Sequence, residues 1–204
     1  MVEEPRGRAA AALRRLGHAL MAHEADAGLL DRVAEAAHRV AADLEQQPPR
    51  QRDLLELKRR MFDVPVDDGQ PVSHFDECFV SGGQNPMGIA MTVRREGDDM
   101  VADVHLGAAF EGAPGRSHGG IVAAIFDDIQ GYLLTLIQQP GFTGRMEVNY
   151  LAATPIDQEL EFRARVVERD GRKIHTEAEA YAREALVARS TAVFIAVDTS
   201  RIKG

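Results

Sequence analysis

The sequence predicts an α+β fold in which one antiparallel sheet wraps around a single long buried helix, with a helical extension in front. Three observations lead there. The stretch Ser117 to Ile137 is an apolar run of helical length, opened by a glycine-rich turn and stopped by Pro140-Gly141. Apolar side chains lie at nearly every angle around its axis, so the helix needs cover on all sides. Strand-like stretches flank it, two before and four after, which supplies a single sheet as that cover. The run is about as long as a membrane span, but Asp127, Asp128 and Gln130 interrupt it near the middle, which favours a core helix.

In chain order, residues 6 to 47 are rich in alanine, arginine and glutamate. Leu13, Leu16 and Leu20 keep helical spacing, as do Leu29, Val33, Ala36, Ala37, Val40 and Leu44. This predicts two amphipathic helices broken near Ala27-Gly28, the second ended by Pro48-Pro49. A shorter helix from Asp53 to Met61 follows. Residues 64 to 86 read as loop through Pro65, Asp67-Asp68-Gly69, Pro71 and Ser81-Gly82-Gly83. Ile89 to Val93 and Met100 to Leu106 flank a Glu96-Gly97-Asp98-Asp99 turn and predict a hairpin. Beyond the apolar helix come strands at Thr143 to Leu151, Glu159 to Val167, Lys173 to Ala182 and Ala185 to Val197, with Asp170-Gly171 as a tight turn. The implied organisation is a helical extension over 1–62, a linker over 63–87 and the sheet-and-helix domain over 88–200.

Composition narrows the function classes. The formal net charge is -8, whereas phosphate backbones demand a basic face. The N-terminal helices are near neutral, with 11 Lys/Arg against 10 Asp/Glu up to Arg60, and contain no basic recognition helix. Nucleic acid is therefore not expected as a partner. Cys78 is the only cysteine, which suits a reducing cytoplasm and points to a small buried hydrophobe, with His74 the only local base for a nucleophilic role. The acidic start at Met1-Val2-Glu3-Glu4 lacks the pattern of a secretory signal, so a cytoplasmic location without a membrane span is expected. Neither a nucleotide cradle nor a His/Cys cluster with metal-ligand spacing is present, so no cofactor and no metal are expected. His175 lies on a polar-rich strand and reads as solvated. Arg94, Arg95, Arg145, Arg172 and Lys173 sit near strand ends and read as surface charges.

The candidate chemistry is on the long helix. Gly120, Ala123, Ala124, Asp127 and Gly131 share one face, a stripe of small residues holding a single carboxylate. Asp128 points about 100° away. A charge within such a helix is costly unless paired or used, so Asp127 either faces a substrate or is solvated where the helix emerges. At the other end, unpaired N–H groups and the positive dipole end favour an anion near Gly119 and Gly120.

Three pieces stand out together: Cys78-Phe79-Val80 with Asn85-Pro86-Met87-Gly88-Ile89; His118-Gly119-Gly120 with Asp127 nine residues after the histidine; and Thr143 opening a strand that reads Met146-Glu147-Val148-Asn149-Tyr150, sixteen residues after Asp127. Together they resemble the hotdog-fold acyl-CoA thioesterases, in the branch that holds the phenylacetate-pathway (PaaI-like) enzyme and the thioesterase superfamily members. The resemblance covers roughly residues 75 to 198 and leaves the N-terminal helices outside. It implies hydrolysis of an acyl-CoA to a carboxylic acid and CoA. It implies Asp127 as nucleophile or general base, and Gly119 and Gly120 N–H as oxyanion hole. His118 would orient the turn or the thioester, and Thr143 from a neighbouring subunit would help position water. Asn85, Ala123, Ala124 and Gly131 are implied along the substrate path, and a homodimer or homotetramer with the site between subunits follows. A non-catalytic acyl-CoA sensor and an acyl-thioester hydratase or dehydratase are the alternatives on the same fold.

Overall fold

The computed structural model describes residues 4–51, 62, 65–89 and 91–197. The short helix expected over Asp53 to Met61 and the expected domain end at position 200 lie outside these residues.

Two helices open the chain, α1 at Pro5–Ala22 and α2 at Ala27–Glu45. The break falls at residues 23–26, because the Asp26 carboxylate caps α2 by accepting the Leu29 N–H at 2.8 Å, so that Ala27 and Gly28 already belong to the second helix. One face of α1 packs on its own domain. Ala10 is buried there, Arg14 donates to the carbonyls of Gly83 (3.0 Å) and Asn85 (2.7 Å), and His18 Nδ1 accepts the Ala109 N–H at 3.1 Å. The His18 ring meets Phe110 edge-on at 5.1 Å. Gly107 is required for this approach, since a Cβ would lie 2.7 Å from His18 Nδ1. By contrast, α2 buries no residue.

The sheet is formed by β1 (Pro71–Val72), β2 (Thr92–Glu96), β3 (Asp99–His105), β6 (Gly141–Tyr150), β7 (Glu159–Asp170), β8 (Lys173–Ala182) and β9 (Ala185–Ala196). A small hairpin, β4 (Glu111–Ala113) and β5 (Arg116–Ser117), leads into α3 at Gly119–Leu136. The seven strands are antiparallel in the order β1-β2-β3-β7-β8-β9-β6. This is the expected hotdog arrangement. Two features were not expected: the two-residue β1, inside the stretch read as loop, and the β4–β5 hairpin, whose three- and two-residue strands are too short to show a period.

Alternation divides most of the sheet, the exception being Val101, which points outward and is buried nonetheless. Inward residues Met100, Ala102, Phe162, Ala164, Ala178 and Ala180 are buried against Ile125, Phe126, Ile129 and Leu133 of α3. Small alanines on β8 let the helix approach, and Phe126 meets Phe162 edge-on at 5.1 Å. The outward face is a ladder of ion pairs: Arg163 bonds Glu96 (2.8 Å) and Asp99 (3.3 Å), Arg94 pairs with Asp103, and Arg165 with Glu177. One polar group enters the core. Gln130 is fully buried and satisfied, donating to the Phe126 carbonyl and Ser190 Oγ (both 3.1 Å) and accepting from Thr176 Oγ1 (2.7 Å).

Strand β6 closes one edge of the sheet and pairs only with β9 among the described residues. It carries a bulge at Gly144: Thr143 pairs with Phe194, while Met146 already pairs with Ala192. As a result Thr143, Met146, Val148 and Tyr150 all stand beside buried partners on the helix side.

Candidate active site

The groove between α3 and the edge strand β6 brings together most of the residues singled out in the sequence. At its head, His118 is the N-cap of α3, and its Nδ1 accepts the Gly120 N–H at 3.0 Å. An accepting Nδ1 places the ring proton of the neutral imidazole on Nε2. The β4–β5 hairpin holds this residue. The His118 N–H bonds the Phe110 carbonyl at 2.8 Å, and Gly112 passes so close that a Cβ there would lie 2.8 Å from His118 Cα. The Tyr150 hydroxyl donates to the Gly119 carbonyl at 2.7 Å and ties the helix start to β6. The Gly119 N–H has no partner among the described residues. Of the two donors expected for an oxyanion, therefore, Gly119 remains open and Gly120 is occupied by the histidine cap. That corrects the expectation of a paired glycine hole. A histidine directly before a Gly-Gly helix start can cap it with its own ring, and the capping competes with any ligand for the second N–H.

Two turns further on, Asp127 is exposed at the edge of the groove, and its Oδ1 accepts the Thr143 hydroxyl at 2.8 Å. Both residues belong to one chain. The resemblance implied a Thr143 that helps position water and comes from a neighbouring subunit; within this chain it meets Asp127 of its own helix, the bulge at Gly144 keeping it on that side.

Asp128 faces the other way, toward residues 73–89. The Cys78 thiol donates to Asp128 Oδ1 at 3.3 Å, and Oδ2 is buried without a hydrogen-bond partner among the described residues. Burial pushes the Asp128 carboxyl above its ordinary range, while hydrogen bonds from Ser81 and Cys78 oppose that shift. Burial and the neighbouring Asp128 carboxylate raise the Cys78 thiol as well, which removes nucleophilic character in keeping with the structural role expected for it. His74 stacks on Tyr132 with ring centroids 3.4 Å apart, and burial lowers it to about 3. The Tyr132 hydroxyl donates to Ser81 Oγ at 3.0 Å. Together these contacts fasten the segment before the sheet to α3.

The remaining candidates divide. Ala123 and Ala124 are half-buried along α3, Ala124 packing against the core. Gly131 faces the His74 ring, 3.7 Å from where a Cβ would stand, and so lies beside the buried His74–Tyr132 stack. Asn85 has both polar atoms committed to its own loop, Nδ2 to the Glu77 carbonyl (3.1 Å) and Oδ1 to the Met87 N–H (2.9 Å). His175 lies on the outer sheet face, beside a shallow cavity of about 340 Å³ shared with Arg145, Glu147 and Glu177. No group of three or more His, Cys, Asp or Glu side chains suited to a metal occurs among the described residues. Tyr150 was missed as a site residue. Its signal was present in the alternation Met146, Val148, Tyr150, which puts it on the helix side of β6.

The sequence model of the thioesterase superfamily matches residues 115–188, a span that includes α3 and most of the strands after it. No curated protein matches the chain. A solved thioesterase superfamily protein is similar at 25% identity and a TM-score of 0.80, over 95% of this chain and 91% of that one, so the likeness includes α1 and α2. A hypothetical thioesterase from Streptococcus pneumoniae, solved with coenzyme A, matches at 18% identity and a TM-score of 0.50 over 52% of this chain and 88% of its own. A Streptococcus mutans protein solved bound to acetyl CoA matches at 16% identity, also with a TM-score of 0.50, over 52% of this chain and 88% of that one. Variants of the pneumococcal protein with an aspartate or a threonine replaced by alanine have been solved too.

Proposed function

We propose that the chain is a hotdog acyl-CoA thioesterase that splits an acyl-CoA with water into a carboxylic acid and CoA, a reading supported by its likeness to the thioesterase superfamily. The observation that carries this reading is Asp127: an exposed carboxylate oriented at 2.8 Å by Thr143, on a helix whose first N–H is open. Asp127 serves either as general base, taking a proton from the water that attacks the thioester carbonyl, or as nucleophile, forming an anhydride that water then hydrolyses. In both routes negative charge grows on the carbonyl oxygen, and an N–H at a helix N-terminus stabilises it. Collapse of the tetrahedral species breaks the C–S bond, and the CoA thiolate leaves to take up a proton.

In this reading the parts belong to two copies of the chain. Gly119 and Asp127 are eight residues apart on α3, which is about 12 Å along the axis at ~1.5 Å per residue. A single carbonyl needs both groups within about 3 Å. The Asp127–Thr143 pair of one copy therefore works with the helix head of another, which supports a homodimer or a homotetramer built from such dimers. The unpaired edge of β6 lies beside both groups and is the natural seam. His118, with its proton on Nε2, adds a second donor at the head in place of the occupied Gly120 N–H. Ala123 and Ala124 line the path between the two ends.

The test is release of CoA thiol from short, medium, long-chain and aromatic acyl-CoAs by the wild type and by Asp127→Asn. Loss of turnover by about 100-fold or more in the variant, with acyl-CoA binding retained, is the expected result. Tight acyl-CoA binding by the wild type with no turnover on any member would overturn the enzyme reading in favour of a sensor. Loss confined to Asp128→Asn would move the carboxylate by one position.

A further inference from the structure

We propose that α2 is a self-pairing surface: two copies of the chain join through an antiparallel α2–α2 contact centred between Ala36 and Ala37. The inference is independent of the catalytic reading. Leu29, Val33, Ala36, Ala37, Val40 and Leu44 fall within about 50° of one line along the helix at ~100° per residue. Val33 is half-buried, but the ends of the line stand open: Leu29 is 43% exposed, Val40 58% and Leu44 66%. Most helical stability in proteins comes from packing of an amphipathic face, so an apolar stripe along α2 implies a surface that it covers. The similar solved structure that spans 95% of the chain shows that the helix is part of the shared architecture rather than an appended tail.

The order of residues on the stripe selects the occupant. It reads the same in both directions about its centre: leucine, valine, alanine, alanine, valine, leucine. A two-fold interface pairs residue i with j and j with i, so this order sets like against like at every level of an antiparallel contact. Antiparallel pairing about the Ala36–Ala37 midpoint sets Leu29 against Leu44 of the second copy and Val33 against Val40. The two alanines at the crossing let the backbones approach closely. Arg32 and Asp43 lie on the same flank, so the pairing also brings Arg32 of one helix beside Asp43 of the other, twice. A lipid surface fits less well: α2 carries Asp31, Glu35, Asp43 and Glu45 against Arg32 and Arg39, whereas helices that lie on anionic membranes are basic on the polar face.

The test uses the full chain with single cysteines introduced on α2. Cys78 is buried and is present in every variant. Ala36→Cys lies at the proposed crossing and Ala42→Cys on the opposite side of the helix. A short thiol-bridging reagent is expected to give a covalent dimer with Ala36→Cys at least ~10-fold faster than with Ala42→Cys. In sedimentation, Ala36→Glu is expected to weaken self-association at least ~10-fold, with the circular dichroism spectrum unchanged. Equal bridging at the two positions, or an unaltered association constant in Ala36→Glu, overturns the proposal. So does uptake of the wild type onto phosphatidylserine vesicles that Ala36→Glu abolishes. Turnover of Ala36→Glu on acyl-CoA is read separately, and its presence or absence bears on the catalytic site alone.

Discussion

Replacing Gln130 by leucine should unsettle the molecule more than its small change in volume suggests. The side chain is fully buried and makes three hydrogen bonds, to the Phe126 carbonyl, Ser190 Oγ and Thr176 Oγ1. Leucine fills similar space but leaves the Ser190 and Thr176 hydroxyls without their partner in the core. Thr176 keeps a long contact to the Ala192 carbonyl at 3.5 Å, so it is partly compensated. An orphaned buried polar group costs about 1–3 kcal/mol, and burying the more apolar leucine returns part of that sum. The expected net loss is about 2–4 kcal/mol. Urea unfolding at constant pH measures it, with the slope unchanged and the midpoint lowered. The decisive comparison adds Ser190→Ala and Thr176→Val to Gln130→Leu. With every member of the network apolar, no group is left unpaired, and the triple variant should be more stable than the single one. A Gln130→Leu protein as stable as wild type, or a triple variant less stable than the single, would refute the reasoning that this network is a satisfied unit.

Two further outcomes are expected. Thr143→Val removes the hydroxyl that orients Asp127, a bond to a charged group worth about 1.5–3 kcal/mol, and should lower kcat about 10- to 100-fold with little change in KM, while Thr143→Ser restores most of it; equal kcat in the valine and wild-type proteins would count against the pair. His74, held at about 3 against an ordinary 6.5, stays neutral when folded but binds a proton when unfolded, so its contribution is complete above about pH 6.5 and is lost as pH falls toward 3, at up to ~1.4 kcal/mol per pH unit. The raised Asp128 acts in the opposite sense and softens that slope. His74→Phe, which preserves the stack on Tyr132, should flatten the fall in urea midpoint between pH 6.5 and 4, and parallel curves for the two proteins would sink the assignment.

Much of the fold was legible because its periods are long and clean. The helix Gly119–Leu136 is apolar around its whole circumference, and β7, β8 and β9 alternate without a break in parity across most of their length. The carboxylate was legible through the stripe of small residues that leads to it. What escaped depends on contacts between distant segments. Whether the Gly120 N–H is free depends on the rotamer of His118, which spacing does not carry. Asn85 has a polar side chain in a loop, and only the fold reveals that its own turn consumes both ends. The cluster of His74, Ser81, Cys78, Asp128 and Tyr132 joins positions about fifty residues apart, and no local pattern links them. The apolar stripe on α2 was equally plain in the sequence, but a reading of one chain does not say against what it packs.

The bulge at Gly144 has a bearing on how this site can change over time. Strict alternation along β6 would send Thr143 and Met146 to opposite faces, since they are an odd number of positions apart; the extra residue returns both to the helix side. Loss of that single codon would close the bulge with Thr143 still opposite Phe194, and Thr143 would stay on the helix side with Met146, Val148 and Tyr150. The hydroxyl partner of Asp127 is thus fixed by its pairing in the sheet and not by the inserted residue itself. Lineages of this protein could lose or regain the bulge in one mutational step without displacing that partner.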